Sequence, residues 1–151
     1  MSDRSKRRIL VVDDEITVCK SIRQAILSDE YEVDMALSGE EALKKDGDKP
    51  YELIITDLMM PGISGLDLLK SLREARPEVN VIMVTGYPTI KTAVESVKMG
   101  AFDYLPKPFT PAELRGLVAR AFKKAEGEDR GKGAVAGSRT PAGYYYMLGH
   151  T

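Results

Sequence analysis

The sequence predicts an α/β protein built on a doubly wound parallel sheet of five strands, in spatial order 2-1-3-4-5, with helices on both faces. Three observations carry that expectation. Strand-like and helix-like patterns alternate five times along the chain, the grammar of βα units. The first, third and fourth apolar runs (Ile9 to Val12, Leu53 to Thr56, Val79 to Val84) are continuous, as strands covered on both faces are, while the second and fifth alternate with charged residues, as edge strands do. Polar groups close the runs: Asp13-Asp14, Asp57, Thr85-Gly86 and, after the fifth, Lys107-Pro108. In such sheets ligands bind beyond the carboxyl ends of the strands, where the winding reverses between strands one and three.

The elements follow in order. After the first strand, Val18, Ile22, Ala25 and Ile26 form one helical stripe. Tyr31, Val33 and Met35 alternate with charged residues, a strand with one wet face. Ser38-Gly39-Glu40-Glu41 reads as a capping box opening a short helix to about Lys45. Leu53 to Asp57 is the third strand. Past Pro61-Gly62, Ser64 caps a helix whose Leu68, Leu69 and Leu72 face inward until Pro77 ends it. The fourth strand leads to a stripe of Ile90, Ala93, Val94 and Val97, closed by Gly100. Phe102 and Tyr104 flank Asp103 in a short, half-buried strand. Thr110-Pro111-Ala112-Glu113 combines an N-cap, a proline at the first helical position and a capping box, and Leu114, Leu117, Val118 and Ala121 line the last helix.

Totals narrow the function classes. Twenty-two Lys and Arg against 23 Asp and Glu give a formal net charge of -1, which removes any global argument for nucleic-acid or membrane binding. No apolar stretch approaches the ~20 residues that span a bilayer. Residues 1–8 are basic but lack the apolar core of a signal peptide, and Arg4 to Arg8 read as a solvated leader in preference to a nucleic-acid patch. The single cysteine, Cys19, cannot form an internal disulfide and sits beside an apolar stripe as a small core residue. The expected location is the cytoplasm.

The strand ends deliver three carboxylates, a hydroxyl and an ammonium to one sheet edge. Asp13 or Asp14 alone has a second reading as the cap of the next helix. Two adjacent carboxylates with Asp57 repel one another, and a hard divalent cation with oxygen ligands relieves that. Mg²⁺ needs few protein ligands, so two carboxylates and a backbone carbonyl suffice. Thr85 or Lys107 alone means little; a cis Lys107–Pro108 bond, which the sequence leaves open, would turn the ammonium toward the site. Together these groups suit phosphoryl transfer, with Asp57 as acceptor.

At these residues the chain resembles the receiver domain of two-component response regulators, a flavodoxin-like fold. The resemblance rests on Val11-Val12-Asp13-Asp14-Glu15, Ile55 through Gly65, Val84-Thr85-Gly86 and Lys107-Pro108-Phe109, and covers residues 7–124. Thr85 to Thr89 and Gly100 to Leu105 most resemble NtrC-like receivers. The resemblance implies that Asp57 accepts a phosphoryl group from a sensor histidine kinase or phosphotransfer protein. It implies Mg²⁺ held by Asp14, Asp57 and the Met59 carbonyl, with Asp13 mainly through water. It gives Thr85 and Lys107 the phosphoryl oxygens, Gly86 the role of leaving room, and Tyr104 that of an aromatic switch, whose alternative is a half-buried edge tyrosine. Met59 and Tyr87 would border the water path and tune dephosphorylation. The chain would be no enzyme beyond its own phosphorylation and dephosphorylation. The face formed by the fourth helix, fifth strand and fifth helix would change on phosphorylation and meet a second copy or an output domain.

Residues 125–143 read as a Gly-rich linker. Residues 144–151, Tyr144-Tyr145-Tyr146-Met147-Leu148 among them, read as a flexible end, an arm packing on the domain, or the start of a truncated further domain resembling the glycine-cleavage H protein. His150, the only histidine, has no partner residues around it and is rejected as ligand or phosphodonor. The main competing function is a receiver-like interaction module that is never phosphorylated, though such modules commonly lose a core site residue. A flavin or small-ligand binder would want Ser, Thr or Gly after the first strand, where Asp13-Asp14-Glu15 stands.

Overall fold

A computed structural model of the chain describes residues 6–126. Five βα units follow one another: β1 (Arg7–Val12), α1 (Ile16–Ile26), β2 (Tyr31–Ala36), α2 (Gly39–Asp48), β3 (Leu53–Asp57), α3 (Gly65–Ala75), β4 (Asn80–Thr85), α4 (Ile90–Lys98), β5 (Asp103–Pro106) and α5 (Pro111–Glu126). The strands form one parallel sheet in the order β2-β1-β3-β4-β5, as the run patterns predict. The tail, and the linker from residue 127 on, lie outside the described residues.

Alternation along each strand sends neighbouring side chains to opposite faces. Ile9, Val11, Leu53, Ile55, Ile82 and Val84 pack with Cys19, Ile22 and Ile26 of α1 and with Leu114, Leu117 and Val118 of α5. Leu10, Val12, Ile54, Val81, Met83 and Tyr104 meet Ala42 of α2, Leu68, Leu69 and Leu72 of α3, and Ala93 of α4. Each fully buried aliphatic contributes about 1.5–3 kcal/mol, so these two layers hold the three central strands, and with them their polar carboxyl ends, in fixed register.

Helix starts follow their local signals. Ser64 accepts the Asp67 N–H and Asp67 receives the Ser64 N–H, a complete capping box. Thr110 and Glu113 reciprocate in the same way. At α2 the Ser38 hydroxyl accepts the Glu41 N–H, but the Glu41 carboxylate takes the N–H of Leu37, one residue before the expected partner.

Four local expectations change. Helix α2 continues three residues past Lys45, because Asp46 is buried and fixed by the Arg76 guanidinium and the Tyr51 N–H. Arg8 is not a solvated leader residue: it lies over the Tyr51 ring, donates to the carbonyls of Lys49 and Pro50, and pairs with Glu32. Strand β5 does not alternate; Asp103 and Tyr104 are both buried. On α4 the buried residues are Ala93 and Ser96, whereas Ile90 and Val97 are 50% and 41% exposed. The narrow, partly polar inner face of α4 meets the Tyr104 side chain, and that phase cannot be read from the spacing of large apolar residues.

Candidate functional site

The register aligns the strand ends. Val12 pairs with Thr56 across β1 and β3, so Asp13 and Asp57 emerge side by side, while Thr85 pairs with Pro106 across β4 and β5. The Asp13 N–H donates to the Ala36 carbonyl at 3.1 Å, which carries β1 one residue past its formal end. Asp13 Oδ1 accepts the Glu15 N–H at 2.9 Å. That occupies the N-cap residue's own amide, and no side chain caps α1, so neither aspartate serves as the helix cap.

Lys107 closes the site from the far side. Its N–H donates to the Thr85 carbonyl at 2.7 Å, and its bond to Pro108 is cis. Its ammonium stands 3.3 Å from Asp13 Oδ2 and 3.4 Å from Asp57 Oδ1. One oxygen each from Asp13, Asp14 and Asp57 lies within 4.8 Å of the others, with Asp13 and Asp57 buried and Asp14 exposed. An all-oxygen set of this spacing fits a hard divalent cation that keeps part of its water shell.

The charges do not balance among themselves. Burial pushes the Asp57 carboxyl above its ordinary pKa; the Lys107 ammonium opposes this, and Asp13 and Asp14 reinforce it. Burial pulls the Lys107 ammonium down, but Asp57 and Asp13 together leave it above its ordinary value, so it stays charged at neutral pH. Three carboxylates facing one ammonium leave an excess of negative charge, which a divalent cation offsets. Beneath the site Cys19 is buried, its thiol pushed up to about 11 chiefly by burial, which makes it inert as a nucleophile.

The cleft over these groups is lined by Asp13, Asp14, Glu15, Val18, Asp57, Met59, Gly86, Tyr87 and Lys107. Met59 and Tyr87 stand at its rim, 56% and 75% exposed. Thr85 and Tyr104, singled out from sequence, do not line it. The Thr85 hydroxyl is buried and accepts the Tyr87 N–H at 3.0 Å. Tyr104 is fully buried beneath α4, which sets aside its reading as a half-buried edge residue. Glu15 and Val18 were not singled out as site residues. Their only signal is position, directly after Asp13-Asp14 and one turn into α1.

The carboxylates and the ammonium thus meet at the switch point of a doubly wound α/β sheet, the place where such folds bind their ligands. A family model described as the response regulator receiver domain matches residues 9–119. The chain belongs to that family, the receiver domains of two-component response regulators. It is 33% identical over 131 residues to the transcriptional regulatory protein ZraR of Escherichia coli (strain K12), covering 87% of this chain and 30% of that protein. It is 37% identical over 116 residues to the regulatory protein AtoC of the same organism, covering 77% and 25%. Both are NtrC-like regulators, as the finer resemblance implies. The chain thus spans less than a third of these relatives' length. The crystal structure of a CheY-like receiver domain protein from Methanospirillum hungatei JF-1 superposes with a TM-score of 0.78 at 33% identity, covering 82% of this chain and 99% of that one. Among the described residues no helix is long and apolar enough to cross a membrane.

Proposed function

We propose that this chain is the phosphoacceptor of a two-component phosphorelay in the cytoplasm, taking a phosphoryl group on Asp57 from a phosphohistidine of a sensor histidine kinase or phosphotransfer protein. The observation that carries the reading is the single Lys107 ammonium set against both Asp57 and Asp13. A carboxylate oxygen of Asp57 attacks phosphorus as the P–N bond breaks, the imidazole leaves with that electron pair, and an acyl phosphate forms on Asp57. Little covalent work falls to the other residues; they position groups and stabilise charge on the phosphoryl oxygens.

Lys107 takes one of those oxygens, moving from its ion pair with Asp57 to the group that replaces it. Thr85 leaves the Tyr87 N–H to offer its hydroxyl to another, and Gly86, where an added Cβ would meet nothing within 4 Å, leaves space beside it. Asp13, Asp14, Asp57 and the Met59 carbonyl would hold Mg²⁺, which when bound neutralises phosphoryl charge and orients the donor. Met59 and Tyr87, exposed at the rim, screen the path of attacking water and set the lifetime of the acyl phosphate. The chain acts on itself alone. The phosphorylated state is read on the α4-β5-α5 face by a second copy or an output domain.

Intact mass after incubation with acetyl phosphate and Mg²⁺ tests the reading. One phosphoryl group is expected on wild type, none on Asp57→Asn, and none on wild type with EDTA. An unmodified wild type overturns it in favour of an interaction module that is never phosphorylated.

A further inference from the structure

Helix α4 is weakly seated. Its buried residues are only Ala93 and Ser96, and Ile90 and Val97 give much of their surface to water. Apolar burial therefore contributes little to its position; polar contacts at its two ends do more. At the C-terminal end Gly100 adopts φ +93° and its carbonyl accepts from Arg73 Nη2 at 2.8 Å. A Cβ there would meet Arg73 Nε at 2.7 Å, so the guanidinium packs directly on the glycine.

The N-terminal end is held by hydroxyls. Tyr104 Oη lies 2.6 Å from Thr92 Oγ1 and accepts the Thr89 N–H at 3.2 Å. Thr92 Oγ1 donates to the Thr89 carbonyl at 3.2 Å, and the Thr92 N–H donates to Thr89 Oγ1 at 3.0 Å. One hydrogen arrangement satisfies all of these: the Tyr104 hydroxyl donates to Thr92 Oγ1 while accepting from Thr89. The buried phenol is then fully paired inside the first turn of α4. Without the Thr92 hydroxyl, its O–H would keep no acceptor there, and a buried unpaired hydroxyl favours escape to water.

Resting on the reading of Tyr104 as the switch, we propose that Thr92 is a positioning residue for it: the Thr92 hydroxyl latches Tyr104 inward against α4, and the helix pivots about its Gly100–Arg73 end when the latch opens. The latch spans from β5 to α4 and needs no group in the phosphoryl cleft. It sets how much of the inward state exists before any phosphoryl group arrives, because removing a contact present in one of two packings shifts their populations by the energy of that contact.

The test uses the full chain labelled with 3-fluorotyrosine, without phosphodonor, with the Tyr104 resonance assigned through Tyr104→Phe. Its solvent isotope shift in D₂O reports exposure of the ring. Thr92→Val, matched in shape but lacking the hydroxyl, is expected to raise the exposed population about tenfold. Thr92→Ser, which restores the hydroxyl, is expected to stay near wild type. A Tyr104 resonance unmoved in a folded Thr92→Val protein overturns the latch, as do equal shifts in the Val and Ser variants, which would assign the effect to packing. Acetyl phosphate and Mg²⁺ are then added to the same samples, and phosphoryl uptake at Asp57 is read by mass. A Thr92→Val shift without uptake by wild type supports the latch and overturns the phosphoacceptor reading; uptake without the shift does the reverse.

Discussion

A Cβ placed on Gly65 would strike the carbonyl oxygen of Asp57. The first residue of α3 is thus pressed against the residue that ends β3, and its N–H donates to the Leu58 carbonyl at 2.9 Å in the turn between them. The same added atom would lie 2.8 Å from Leu58 Cα and 2.9 Å from Met83 Sδ, so backbone on one side and a core side chain on the other leave no room. The close approach fixes the loop that carries Met59 relative to Asp57.

Gly65→Ala is accordingly expected to lower stability by about 1–3 kcal/mol, the cost of overpacking a filled site. Urea unfolding measures it. A variant as stable as wild type would mean that the turn is free to yield.

Asp57 gives a pH dependence of defined sign. Its folded pKa is raised, first by burial, so the fold favours the protonated carboxyl. That contribution is fully present below the ordinary carboxylate value of about 4 and is lost as pH rises through the raised folded value; at neutral pH the buried charge opposes folding. Asp57→Asn in EDTA is therefore expected to melt higher than wild type at pH 7, with the difference closing as pH falls toward 4. Thermal unfolding across that range checks it, and a variant less stable than wild type at pH 7 contradicts the assignment.

Asp46 and Arg76 offer a test at the opposite end of the sheet. Asp46 is buried and receives both the Arg76 guanidinium and the Tyr51 N–H, while Arg76 also donates to the Tyr51 carbonyl. Arg76→Ala leaves a buried carboxylate without its cation and is expected to cost about 3–5 kcal/mol. Asp46→Ala leaves Arg76 a remaining acceptor and an exit to solvent, so it should cost less. Denaturant titration of the two variants compares them, and equal losses would place the cost in packing instead of charge.

The central strands were legible because burial on both faces leaves continuous runs such as Ile9 to Val12 and Leu53 to Thr56, and the polar residues that close them mark one sheet edge. Asp13, Asp14, Asp57 and Lys107 come together there as the topology requires. What was not legible depends on partners far away in the chain. Asp46 belongs to α2 because Arg76, thirty residues on, makes it buriable. Tyr104 is wholly buried because Thr89 and Thr92 satisfy its hydroxyl, and the same contact gives α4 a phase that turns Ile90 and Val97 outward. Arg8 leaves the solvated start because the Tyr51 ring and two carbonyls receive it. Periodicity records the mean face of an element, not such pairwise exchanges.

The most direct measurement is chemical location of the modification: borohydride reduction after treatment with acetyl phosphate and Mg²⁺, followed by peptide mass mapping. An acyl phosphate on Asp57 is reduced to homoserine at that position alone. The account predicts homoserine at residue 57 in wild type and none anywhere in Asp57→Asn. Reduction at Asp13 or Asp14, or no reduced residue in a protein shown to bind Mg²⁺, would contradict it.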